Sequence, residues 1–192
     1  MDTQNALKKL IAGNVRFSSG QMVNPDLGPE RRAQLVKGQS PFAVIVSCSD
    51  SRVPPELLFN QGMGDLFVIR TAGNIVDPIT LGSLEYAVDH LHSSLVVVLG
   101  HDKCGAIKAA VDGGEAHGSI GAMMDKIKPA VQIAKAAGAV GEALYEKAAD
   151  ENIKTTIQEI ETSSIVKHLI AEGKLSVIGA KYDLASGVVS FE

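Results

Sequence analysis

The sequence contains no tryptophan and only two cysteines, and aromatic residues make up 4% of its 192 positions. Two cysteines close at most one disulfide, and an intracellular chain of this length does not need one, so a metal-binding or catalytic role gains weight. Positive charge is scarce as well. Lys and Arg number 18 against 22 Asp and Glu, a net charge of −4, with no basic cluster. That gives no electrostatic case for binding nucleic acid. Long apolar runs are missing: stretches such as Leu95 to Leu99 reach about five residues, far below the roughly 20 of a membrane helix. The opening MDTQNALKKL holds no continuous apolar signal core, so a cytoplasmic location is expected. Repeats and low-complexity tracts are absent.

What remains is an ordinary globular balance, 45% hydrophobic and 21% charged, of a size for one domain at about 150 residues per domain. Residues 2–17 carry Ala6, Leu7, Leu10, Ile11 and Val15 at helical spacing, with Asp2 or Thr3 as cap. A second short helix is expected over 29–37, from Pro29 to a stop at Gly38. Together these make a helical arm over 1–37, ahead of a core over 38–192. Strands are predicted at Phe42–Val46, Leu66–Ile69 and Leu95–Leu99. Helices at Pro54–Phe59, Ile79–Leu91 and Cys104–Val111 follow them in turn. This alternation points to an α/β domain with a parallel sheet. Helices over 119–137 and 142–171, the second breaking near Thr162–Ser163, lead to strand-like runs Leu175–Tyr182 and Val188–Phe191. A turn over Asp183–Gly187 makes these a hairpin-like edge.

Both cysteines follow strand ends, Cys48 in Ser47-Cys48-Ser49-Asp50-Ser51-Arg52 and Cys104 in Gly100-His101-Asp102-Lys103-Cys104-Gly105. In an open α/β sheet ligands collect outside the carboxyl ends of strands. If the two strands are neighbours, Cys48, His101 and Cys104 converge. Two thiolates and an imidazole suit zinc, and three protein ligands leave the fourth position open, as in catalytic rather than structural zinc sites. Asp50 and Arg52 alternate with Cys48, so an extended segment would aim all three the same way. The carboxylate can orient a water on the metal, and the guanidinium can hold the carboxylate by paired hydrogen bonds. If that pair opens, Asp50 could itself bind the ion and close the site. A near-neutral zinc–dithiolate–imidazole set acidifies water less than three imidazoles do. The rate is therefore expected to be highest at neutral to alkaline pH; a rate flat from mildly acidic to alkaline pH contradicts this.

Other chemistries fit less well. Cysteine phosphatases use Cys-x5-Arg, whereas Cys48-x3-Arg52 is too short and Asp50 would repel phosphate. The cysteines are not in the Cys-x-x-Cys arrangement of a dithiol redox protein. No phosphate-binding glycine loop follows a strand. His90, His92, His117 and His168 have no partner pattern, although His117, in a glycine-rich segment, is a candidate for moving protons to buffer.

Cys48-Ser49-Asp50-Ser51-Arg52 followed by Gly100-His101-x-x-Cys104-Gly105, with Arg70-Thr71-Ala72-Gly73-Asn74 and Leu84-Glu85-Tyr86-Ala87-Val88 between them, resembles the β-class carbonic anhydrases. The likeness runs from about Gly38 to Ala110. It implies one Zn²⁺ per subunit on Cys48, His101 and Cys104, with Asp50–Arg52 as a gating dyad. It implies reversible hydration of CO2 to bicarbonate and a proton by attack of zinc-bound hydroxide. The implied fold is a mainly parallel sheet with an added antiparallel strand, in an obligate dimer sometimes paired into tetramers. Gln39, Phe67 and Tyr86 match positions that the plant-like subclass uses to line the CO2 pocket, some across the dimer interface. Ala72 stands where that subclass often has valine, and Gly105 matches a glycine whose backbone lies by the substrate. The arm over 1–37 would embrace the partner subunit. The subclass inhibited by bicarbonate has a tryptophan where this chain has Ile45; Arg70 alone does not make that site, and no such inhibition is expected. The same scaffold hosts hydrolysis of COS or CS2, and a non-catalytic copy would usually lose a ligand or a dyad residue; none is lost here.

Overall fold

The computed structural model describes residues 1–25 and 27–192. Five strands form one sheet in the order β2-β1-β3-β4-β5. They are β1 (Ala43–Cys48), β2 (Leu66–Thr71), β3 (Leu95–His101), β4 (Ser176–Tyr182) and β5 (Val189–Phe191). The first four run parallel, and β5 pairs antiparallel with β4. The expected mixed sheet with a hairpin edge is therefore present. Strands β1 and β3 are buried along their whole length, as unbroken aliphatic runs covered on both faces must be.

Alternation along β1 and β3 divides the interior. Ala43, Ile45, Leu95, Val97 and Leu99 pack beneath Ala6 and Leu10 of α1 (Thr3–Ser18). Val44, Val46, Val96 and Val98 pack with Leu84 and Val88 of α4 (Pro78–Asp89), Ile153 and Ile160 of α7 (Glu142–Ile160), and Val166 of α8 (Ser164–Ala171). Three further helices are α2 (Pro29–Leu35), α3 (Pro55–Leu58) and α5 (Gly105–Asp112), and α6 (Ile120–Ala136) lies against α7. The long helical stretch does break near Thr162–Ser163. The side chain of Ser163 caps α8 by accepting from the Val166 amide. Asp2, one of the two expected caps, accepts from the Asn5 amide at the start of α1.

Two boundaries differ from expectation in a way that matters for the site. Strands β1 and β3 run on to Cys48 and His101, two residues past their apolar runs. Ser47 and Gly100 look like loop residues in sequence, but a neighbouring strand on each side supplies ladder partners: Ser47 pairs with Arg70 and Leu99, and Gly100 with Lys181. The first helix is also less of an arm than expected. Ala6 and Leu10 are fully buried in the chain's own core, and buried Asn14 ties α1 to the Leu58 and Gly187 carbonyls and the Val189 amide. Only its outer face, with Ile11 and Val15, remains exposed. Among the described residues no helix is long and apolar enough to cross a membrane.

Candidate metal centre

Connection order creates the site. The chain passes from β1 outward to β2, then returns to place β3 on the other side of β1. A crevice opens where the order reverses. The last residue of β1 is Cys48 and the last of β3 is His101. A tight turn through Lys103, at φ +50, then brings Cys104 to the N-cap of α5. The ligand-capable atoms of these three residues lie within 4.8 Å of one another, and all three residues are buried. The two sulfurs are 3.9 Å apart. Two sulfurs at about 2.3 Å from a common tetrahedral ion stand about 3.8 Å apart, so the spacing fits.

His101 makes the stronger argument. Its Nδ1–H donates to the Asp102 carbonyl at 2.7 Å, which leaves Nε2 with a bare lone pair. That nitrogen is buried and has no hydrogen-bond partner among the described residues. A buried polar atom without a partner is costly, and a metal ion between it and the sulfurs satisfies it. The outer hydrogen bond that fixes the tautomer is the arrangement usual for histidine ligands.

The sulfurs are prepared for a cation. The Cys48 thiol is drawn down to about 4, chiefly by the hydrogen bond from Cys104, with further help from His101 and the backbone N–H groups of Gly73 and Asp50; burial opposes. The Gly73 and Asp50 amides each stand 3.4 Å from its Sγ. Cys104 is pushed the other way, first because its proton serves Cys48 and then by burial and the Cys48 charge. A divalent ion removes that conflict by neutralising both sulfurs. Burial lowers the proton affinity of His101, but the negative charge of Cys48 and Asp50 and the Asp102 carbonyl outweigh it and the net shift is upward.

Asp50 and Arg52 meet beside this cluster by a different route from the extended alternation expected. The chain turns here, with the Val53 amide donating to the Asp50 carbonyl, because the Arg52 amide is itself captured by Asp50 Oδ1 at 2.9 Å. The side chains close a fork: Arg52 Nε donates to Oδ1 at 2.9 Å and Nη2 to Oδ2 at 2.7 Å. Those bonds hold the Asp50 carboxyl well below the usual carboxylate range, against a smaller push from burial. Asp50 Oδ2 is 3.9 Å from His101 Nε2, so the carboxylate borders the space between the ligands while remaining engaged by Arg52.

Sequence reasoning undervalued Arg70. Its Nε donates to the Cys48 carbonyl at 3.0 Å and its Nη2 to the Asp50 carbonyl at 2.6 Å, so it pins the ligand loop. The folded sheet sets it in β2 opposite Ser47, a register that the sequence alone does not display. Asp102 and Asn152 were missed altogether. The Asp102 carboxylate accepts from the Leu184 amide, and the Asn152 side-chain amide donates to the Gly73 carbonyl; only the folded chain brings these partners together.

The expected pocket residues divide into two groups. Ala72 precedes Gly73, whose amide faces Cys48, and Gly105 follows Cys104, so both adjoin the metal centre. Gln39, Phe67 and Tyr86 do not. Phe67 pairs with Val44, whereas Thr71 pairs with Cys48; four residues of strand separate them by about 13 Å. Tyr86, 47% exposed, packs its ring 6.5 Å from Phe67, and Gln39 is exposed ahead of β1. Within one chain these three lie toward the opposite end of the sheet.

A family model described as carbonic anhydrase matches residues 43–189. A carbonic anhydrase of Mycolicibacterium smegmatis is 41% identical over 189 residues, covering 96% of this chain and 90% of that protein. Carbonic anhydrase 2 of Mycobacterium tuberculosis is 40% identical over 187 residues, covering 95% and 89%. In structure, a tetrameric β-carbonic anhydrase of Sordaria macrospora superposes with a TM-score of 0.80 at 26% identity, covering 97% of this chain and 96% of that one. A Coccomyxa β-carbonic anhydrase in complex with acetazolamide does so at 0.77 and 27%, covering 98% and 82%. Sequence likeness over nearly the whole chain and likeness of fold agree, and the chain belongs to the β-class of the carbonic anhydrases.

Proposed function

We propose that this chain hydrates CO2 reversibly to bicarbonate and a proton at a Zn²⁺ ion held by Cys48, His101 and Cys104. The observation that carries the reading is the buried, unpartnered His101 Nε2 facing two sulfurs within 4.8 Å. The soft, two-sulfur donor set favours zinc over hard cations such as magnesium or calcium. When bound, the ion supplies a Lewis acid that acidifies water and so makes a nucleophile available near neutral pH.

The protein's own groups supply position. The fork from Arg52 keeps Asp50 ionised and aimed, and an ionised carboxylate can only accept a hydrogen bond. Asp50 thereby fixes the orientation of the reacting water and leaves a lone pair toward the carbon of CO2. Arg52 also keeps Asp50 from becoming a ligand itself. Arg70 holds the carbonyls of Cys48 and Asp50, so its guanidinium is committed to the loop. Ile45 is fully buried under α1; both features favour an enzyme without a regulatory bicarbonate site.

The apolar pocket for CO2 is assigned to Ala72 and Gly105 of one subunit together with Gln39, Phe67 and Tyr86 of a second copy. The exposure of Tyr86 and the open edge at β2, half-buried along most of its length, support that assignment. The Sordaria relative is described as tetrameric, and a dimer or a dimer of dimers is the assembly proposed here, in the cytoplasm. Stopped-flow CO2 hydration on metal-analysed protein, with Cys48→Ser alongside, tests the reading. Stoichiometric zinc and turnover in the wild type, both lost in the variant, support it; wild-type protein that takes up no zinc overturns it.

A further inference from the structure

The middle of α7 carries a polar side chain where a helix built only for packing would carry an apolar one. Asn152 is 1% exposed and sits among the buried Ala148, Ala149 and Ile153. Its Nδ2 donates to the Gly73 carbonyl at 2.7 Å, while its Oδ1 is buried without a partner among the described residues. An unpartnered buried carbonyl costs stability, so the single bond it does make has to account for the residue.

That bond leads to the metal centre. Gly73 lies at φ +79, a conformation that favours glycine. A Cβ there would come within 2.8 Å of Ile127 Cδ1. On its other side, the Gly73 amide points at Cys48 Sγ, 3.4 Å away. One peptide segment is thus gripped at its carbonyl by α7 and presents its N–H to a metal-ligand sulfur. An N–H donor at a thiolate withdraws electron density from it and so tunes the bond it makes to a metal; partners outside the ligand set act on metals in this manner.

We propose that Asn152 is a positioning residue of the metal centre, acting through Gly73 to hold the N–H···S contact at Cys48. The inference rests on the reading of Cys48, His101 and Cys104 as metal ligands. It concerns a residue about 100 positions from Cys48 in sequence, on a helix that contributes no ligand.

The test loads the full-length protein with cobalt(II), whose thiolate charge-transfer band reports on the sulfurs directly, and measures zinc(II) affinity by competition with a chelator. Asn152→Leu keeps the branched four-atom shape of the side chain and removes the donor. Thr156→Val, on the same buried face of α7, is the control for general destabilisation. The expected result is a charge-transfer band shifted to lower energy and zinc affinity weakened about 10-fold in Asn152→Leu, with Thr156→Val matching the wild type in both. Should Asn152→Leu not fold, Asn152→Ser, whose hydroxyl is too short to reach the Gly73 carbonyl, is expected to give the same shift. A folded Asn152 variant with the band and affinity of the wild type overturns the proposal, as does a Thr156→Val protein with the same shift. Wild-type protein that binds neither cobalt nor zinc overturns the metal reading beneath it, a result readily told apart from the other two.

Discussion

Strands β1 and β2 are neighbours of equal length, six residues each, paired in parallel along their whole length. Yet β1 is buried at every position, while β2 is half-buried at four of its six and exposed at Arg70. At the end of β1 the chain completes a three-donor cluster from its own residues. Along β2 it leaves Phe67 half-buried and, beside it, Tyr86 exposed. The other edge of the sheet is handled differently, by a three-residue antiparallel strand. A bare parallel edge six residues long is a liability unless something covers it. The contrast teaches that one chain brings a complete donor cluster together by itself, whereas the pocket proposed above draws on two.

The largest effect that can test this contrast is loss of a ligand. Cys48→Ser is expected to lower CO2 hydration by at least about 1000-fold, because an ion at the site moves the pKa of water from about 15.7 toward about 7, and to remove bound zinc from the subunit. Substantial turnover by metal-free protein would place the chemistry elsewhere. Asp50→Ala comes next. It should retain zinc, since no donor is lost, and lose about 100-fold in kcat, the scale of a positioned proton acceptor. A near-normal rate with full zinc would remove Asp50 from the mechanism.

The other half of the contrast predicts a different signature. Tyr86→Ala is expected to lower kcat/KM by about 10-fold, typical for reshaping an apolar pocket, while zinc content stays at wild-type level. If the pocket needs a second copy, specific activity should also fall on dilution without loss of metal. Sedimentation velocity on the same samples shows whether subunits separate as activity falls. Deleting residues 1–20 is a poor probe of the interface, because Ala6 and Leu10 belong to the chain's own core. Ile11→Asp with Val15→Asp changes only the exposed face of α1, and is expected to weaken assembly with little loss of subunit fold. An assembly unchanged by that pair would free the helix from the interface.

How much of this was legible follows the same division. The convergence of Cys48, His101 and Cys104 could be read because the first two close strands that begin as apolar runs, and because His101 and Cys104 share one turn. The parallel sheet was legible from aliphatic runs separated by helical spacing. The Asp50–Arg52 pairing was read correctly and its cause was not. Extended alternation was expected, but the Arg52 amide is captured by the Asp50 side chain and the chain turns. Nothing local marks Arg70 as the clamp of the ligand loop, since its acceptors are backbone carbonyls 20 and 22 positions away. Asn152 is 79 positions from its acceptor, a distance over which only the packed fold makes the connection.

Two glycines flanking the ligand turn sharpen the comparison at its smallest scale. Gly100 precedes His101 in β3, and a Cβ there would stand 2.7 Å from Ile153 Cδ1 and 2.8 Å from its Cγ1. Gly105 follows Cys104, and a Cβ there would meet nothing within 4 Å in the single chain. Gly100→Ala forces α7 away from the strand or distorts Ile153. Overpacking of this kind costs about 1–3 kcal/mol, which lowers Tm by roughly 2–4 °C per kcal/mol in a chain of this size. Gly105→Ala begins α5 with a better helix former and should leave Tm and zinc content at or above wild type. If Gly105 faces substrate, its new methyl occupies space meant for CO2. At about 0.8 kcal/mol per such group, the loss is roughly 4-fold in kcat/KM, measurable by stopped flow. A Gly105→Ala enzyme with unchanged kcat/KM would show that the residue borders only the turn, and would leave Ala72 as the one pocket residue assigned to the same subunit as the donor cluster.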